Sequence, residues 1–83
     1  MYEIIWSPSA EKELYKLNSE LQERIIAVLD RCRILPHRHA KSLVSSPYYS
    51  IRCGDYRIIV DIVEGQFQIL VIEVGHRKNI YKK

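Results

Sequence analysis

The stretch Tyr48-Tyr-Ser-Ile-Arg-Cys-Gly-Asp-Tyr-Arg-Ile-Ile-Val60 reads as two strands joined at Gly54-Asp55. Apolar and polar residues alternate on both sides of a dipeptide that can take the positive φ of a tight turn. A two-residue turn sets the register, with Cys53 facing Tyr56, Arg52 facing Arg57 and Ile51 facing Ile58. Two guanidinium groups then lie directly opposite each other on one face of the hairpin. Like charges in that position are destabilising. The face is therefore expected to meet something anionic, and the planar fork of arginine suits phosphate oxygens. The alternative is that an acid such as Asp61 or Glu73 pairs with one arginine and both stay solvated.

Downstream of this hairpin, a second turn falls at Glu64-Gly65. With two loop residues it sets Ile62 against Phe67, Val60 against Ile69 and Ile58 against Val71, one continuous apolar face. Arg52, Arg57, Asp61 and Gln68 fall on the other face, with Ile59, Leu70 and Ile72 between them. A slip of one residue would bury Gln66 and Gln68, so the alternation supports this register. Upstream, Tyr2–Trp6 reads as a short strand added at a sheet edge. Ser7-Pro8 then starts a helix, with the serine as cap, the proline at the first helical position, and Glu11 and Glu13 near the positive end. Asn18-Ser19 interrupts the helical period, and a second helix carries Leu21, Ile25, Val28, Leu29 and Cys32 on one face before Pro36. So short a link predicts an antiparallel helical hairpin. The expected fold is α+β, a single domain over residues 1–83. The N-terminal strand and the helical hairpin pack on one face of a small antiparallel sheet.

Eighty-three residues allow one small core and no second. Hydrophobic residues at 47% and charged residues at 28% fit a soluble globular protein, and no apolar run nears the roughly 20 residues that span a bilayer. Met1-Tyr-Glu-Ile-Ile-Trp6 carries an acid where a signal peptide would be basic, so a cytoplasmic location is expected. Cys32 and Cys53 lack metal-ligand spacing and read as small buried apolar residues. Residues 1–35 hold five Lys/Arg against six acids, whereas residues 36–83 hold eight against four. Four of the six tyrosines and all three histidines share the basic half, and cations interleaved with aromatics suit a nucleic-acid chain.

Pro36-His-Arg-His-Ala-Lys-Ser42 reads as a basic loop. His37 and His39 have no Cys, Asp or Glu nearby to complete a metal shell, so the loop faces phosphate or solvent instead. At the other end, Val74-Gly-His-Arg-Lys-Asn-Ile-Tyr81 closes the last strand. Continued alternation puts His76 on the arginine face, whereas a bulge at Gly75 would put Arg77 there. Strand parity does not choose between them.

The order of strand, helical hairpin, Tyr49-Ser-Ile-Arg-Cys-Gly-Asp-Tyr-Arg-Ile-Ile and Val74-Gly-His-Arg-Lys-Asn-Ile-Tyr closely resembles the RelE/ParE superfamily of prokaryotic toxins, its RelE branch in particular. The resemblance spans essentially the whole chain. It implies a toxin that enters the ribosomal A site and cuts mRNA there as a metal-independent endoribonuclease, without a cofactor. It also implies a cognate antitoxin wrapped around the toxin in a hetero-oligomer. ParE-like members share the fold but poison DNA gyrase. Carried over by position, the family's site falls on Arg52, Arg57, Arg77 and Tyr81, with His76 kept beside Arg77 as a proton-transfer candidate. Arg38, Lys41, Lys78, Lys82 and Lys83 are expected to contact RNA or the ribosome. Two positions depart from the pattern: Ser50 stands where a second basic residue is common, and Arg52 where lysine is frequent.

Overall fold

Ser7 ends the first strand and starts the first helix with a single hydroxyl. Its Oγ accepts the Ala10 N–H at 3.1 Å and donates to the Ile72 carbonyl at 3.1 Å. The computed structural model describes residues 1–77. Strand β1 (Glu3–Trp6) leads into helices α1 (Pro8–Tyr15) and α2 (Ser19–Cys32), then a one-turn helix α3 (Pro36–His39). Strands β2 (Lys41–Ser42), β3 (Tyr49–Cys53), β4 (Tyr56–Val63) and β5 (Gln68–His76) follow. The break between α1 and α2 has the cap chemistry its residues imply, since Asn18 Oδ1 accepts the Leu21 N–H at 2.9 Å. Among the described residues no helix is long and apolar enough to cross a membrane.

The strands form one sheet in the order β1-β5-β4-β3-β2. Its inner face carries Ile51, Cys53, Ile58, Val60, Ile62, Ile69, Val71 and Val74, and these pack with Ala10 and Leu14 of α1 and Ile25, Leu29 and Cys32 of α2. The α+β architecture is the expected one, with two additions. Strand β1 runs parallel to β5, which makes the sheet mixed rather than wholly antiparallel. Residues 36–42, expected as a loop, instead form α3 and the edge strand β2. Both cysteines are buried, and burial pushes the Cys32 thiol up against a smaller opposing effect of Arg31.

The Gly54 turn has the predicted register: Cys53 pairs with Tyr56, Arg52 with Arg57 and Ile51 with Ile58. Gly54 takes φ +60°, as the first central residue of a type II′ hairpin turn requires. The second turn differs. Its loop is four residues, a 3-10 turn over Glu64–Gln66 followed by Phe67 at φ +51°, and Ile62 therefore pairs with Ile69 and Val60 with Val71. The register is shifted by two from the expected one. A two-residue shift returns every side chain to the same face, so the alternation that excluded a slip of one gave no warning of it.

A bulge then changes the parity of the strand end. Val60 pairs with Val71 but Ile59 pairs with Glu73, which leaves Ile72 as the extra residue on β5. Helix α1 secures this irregularity. The Ile72 carbonyl accepts the Ser7 hydroxyl, and the Val74 N–H donates to the Glu13 carboxylate at 3.3 Å. The bulge was expected, if anywhere, at Gly75. Its true position depends on contacts with a helix more than 60 residues away in sequence.

Candidate functional site

The outer face of the sheet is built by strand alternation. In β3, Ser50 and Arg52 point away from the helices, while Tyr49, Ile51 and Cys53 point toward them. Edge strand β2 places Lys41 directly across from Ser50, and β4 places Arg57 across from Arg52. A short edge strand bearing lysine also discourages strand pairing with another chain. Between these strands lies a cleft of 270 Å³ lined by His39, Lys41, Ser42, Leu43, Ser50, Arg52 and Arg57. Ser50, only 9% exposed, is the buried polar residue among its described lining residues.

Among the described residues no carboxylate lines this cleft. Among the described residues the ion pairs are Asp30–Arg33 and His37–Glu64, so neither facing arginine is held by an acid there. Arg57 Nη1 donates to the Tyr56 carbonyl at 3.4 Å, a long contact within its own strand. Three cationic side chains therefore converge on a partly enclosed surface, with two hydroxyls between them. That surface can hold an anion with planar or tetrahedral oxygens, and the arginine forks give it directional donors.

The structure brings together Arg52, Arg57 and Lys41 and separates two other predicted residues from them. His76 pairs with Tyr56, with ring centroids 5.4 Å apart at 74°, on the side that Ile58 and Val74 share. The bulge at Ile72 put it there, opposite the face that unbroken alternation predicts. Arg77 lies just past the end of β5, exposed, with its N–H donating to the Asp55 carbonyl at 2.8 Å, and the alternation of the strand does not extend to it. Arg38 lines a different depression with Tyr2, Ile34, Leu35, Pro36 and His37. Lys78, Tyr81, Lys82 and Lys83 lie outside the described residues.

Three described cleft residues escaped the sequence reading as site residues, the polar His39 and Ser42 and the apolar Leu43. His39 and Lys41 flank Ala40, whose extended backbone (φ −112°, ψ 142°) aligns the residues on either side of it. An i, i+2 pair of basic residues before a strand was the available signal. Among the described residues no group of three His, Cys, Asp or Glu side chains is placed to hold a metal ion.

Comparison with known proteins agrees with this architecture. Among curated proteins none matches the sequence significantly. Solved structures that share the fold include the following three. The toxin of the intact Escherichia coli RelBE toxin–antitoxin complex is 25% identical, with 92% of this chain and 96% of that one covered and a TM-score of 0.80. The chain from the Methanococcus jannaschii RelB–RelE antitoxin–toxin complex is 26% identical, with coverage of 93% and 94% and a TM-score of 0.73. At 20% identity, the archaeal RelE–RelB complex from Pyrococcus horikoshii gives coverage of 94% and 97% and a TM-score of 0.81, a likeness of fold alone. The family model described as ParE toxin of type II toxin-antitoxin system, parDE, matches residues 4–81. With nearly the whole length matched, the chain belongs to the ParE toxin family of type II toxin–antitoxin systems, within the RelE/ParE superfamily.

Proposed function

We propose that this toxin is a ribosome-dependent endoribonuclease that cuts mRNA in the A site without a metal, and that a cognate antitoxin neutralises it in a hetero-oligomer. The observation that carries the reading is the cleft in which Arg52 and Arg57 face each other beside Lys41, with no carboxylate among its described lining residues. RNA supplies its own nucleophile. The O2′–H loses a proton, O2′ bonds to the adjacent phosphorus, the P–O5′ bond breaks, and O5′ takes a proton from solvent. Arg52 and Arg57 neutralise the charge that builds on the non-bridging oxygens, and Lys41 holds a flanking phosphate. Arg77 stabilises the leaving O5′, the role that the family resemblance gives it, while His76 lies beside Tyr56 on the inner side of the strand end. Tyr81 stacks on a nucleotide, and Lys78, Lys82 and Lys83 follow the RNA backbone. The reading draws support from the RelE neighbours at 25 and 26% identity.

Removing a preorganised donor to a developing oxyanion costs about 10²–10³ in rate. Arg57→Ala is expected to lose cleavage by that factor in primer extension on translated mRNA, while its circular dichroism and its affinity for the antitoxin stay unchanged. Retained cleavage overturns the assignment. A second reading has one observation in its favour, the ParE name of the matching family model, and takes the toxin as a DNA gyrase inhibitor that acts by binding. Supercoiling inhibition by the toxin, with no new mRNA ends, would decide for it.

A further inference from the structure

Cleavage through O2′ needs a group to take the hydroxyl proton, and the three cations of the cleft are poor candidates. Ammonium and guanidinium side chains ordinarily keep their protons at neutral pH, and serine hydroxyls are weaker bases still. Imidazole is the side chain suited to this exchange near neutrality. The chain has three histidines, and the fold sends them to three places. His37 bonds to the Glu64 carboxylate. His76 lies beside Tyr56 on the inner side of the strand end. His39 alone lines the cleft with Arg52 and Arg57.

We propose that His39 is the general base of this site, a role that rests on the ribonuclease reading given above. Its position is built. Helix α3 starts at the buried Pro36, and the Ala40 N–H closes the turn on the Pro36 carbonyl at 3.2 Å. Extended Ala40 then delivers the chain into Lys41, which is locked across from Ser50. The imidazole is thereby carried to the rim of the cleft while remaining exposed enough to meet a nucleotide. The groups facing it are Lys41 and Ser42 from β2, Ser50 and Arg52 from β3 and Arg57 from β4, with no carboxylate among them. In the reaction the neutral ring takes the O2′ proton as the O2′–P bond forms. The P–O5′ electron pair leaves with O5′, which is protonated by solvent, and the imidazolium returns its proton to solvent.

The test is single-turnover cleavage of mRNA on programmed ribosomes with excess toxin, across about pH 5–8. His39→Gln is expected to lower the saturated rate by at least about 100-fold, the lower bound for a positioned base. The toxin concentration for half-saturation should stay near that of the unsubstituted protein. The rise of rate with pH should disappear as well. His37→Gln, altered outside the cleft, keeps both the rate and the pH rise. Two results overturn the proposal: a His39→Gln enzyme with the original saturated rate and pH profile, or one weakened only in half-saturation, which makes the residue a phosphate contact. If the unsubstituted toxin fails to cut translated mRNA at all, the ribonuclease reading falls and this role falls with it.

Discussion

The two faces of β4 spend the same strand in opposite ways. Inward, Ile58, Val60 and Ile62 are buried and meet both helices through the core. Outward, the strand presents Arg57, Ile59 and Asp61, with Arg57 set against another arginine across the ladder. One face is optimised for packing, and the other keeps a repulsive pair that packing does not need. Stability and activity should therefore separate by parity along a single strand. Ile58→Ala provides the largest break, because Ile58 is fully buried at the middle of the sheet. Its loss is expected to cost about 2–5 kcal/mol in urea unfolding. The folded fraction should keep its cleavage rate, and a rate that fell further than the folded fraction would show that the two faces are coupled.

The turn that joins β3 to β4 offers a smaller effect with a different cause. Gly54 sits at φ +60°, and a Cβ built there would meet only the Arg24 guanidinium at 3.5 Å, an ordinary contact. The penalty of Gly54→Ala is then backbone strain rather than a clash, about 1–2 kcal/mol. Chemical denaturation measures it. Because the same turn sets the arginine register, the variant also tests how much misalignment the cleft tolerates. An alanine variant as stable as the parent would mean that the turn can relax to another type at no cost.

The two hairpins of the meander show what was legible in the sequence and what was not. Gly54-Asp55 is a local signal: two residues specify the turn, the turn specifies the pairing, and both arginines follow. Glu64-Gly65 carries a similar signal, yet the chain uses four residues there and places Phe67 in the left-handed region with its ring edge-on to Tyr2 at 5.5 Å. The competing contact is Tyr2, just before β1 and more than 60 residues away, and alternation has period two, so a slip of two residues leaves no trace in the pattern. His76 failed for a related reason. The bulge at Ile72 is held by Ser7, whose other duty is capping α1, and by Glu13, which stands in the last turn of that helix rather than at its positive end. His39 was invisible as a site residue because a basic loop has no face until α3 and β2 give it one.

The smallest expected effect is the one that bears most directly on why the outer face is kept. Arg52 is exposed and directly opposite Arg57, and no acid among the described residues holds either one. Arg52→Gln preserves most of the stem and removes one of two facing charges. It should raise stability by about 0.2–1 kcal/mol, the range of a cross-strand pair, while reducing cleavage. The sign is the informative part, since a surface substitution that only lost a contact would lower stability or leave it unchanged. Salt supplies the control: near 1 M the screening length falls to about 3 Å, so the gain should shrink if repulsion is its source. A gain that persisted at high salt would point to strand propensity instead. A loss of stability would mean that Arg52 holds the sheet together, and the cleft would then owe its arginines to folding rather than to an anionic ligand.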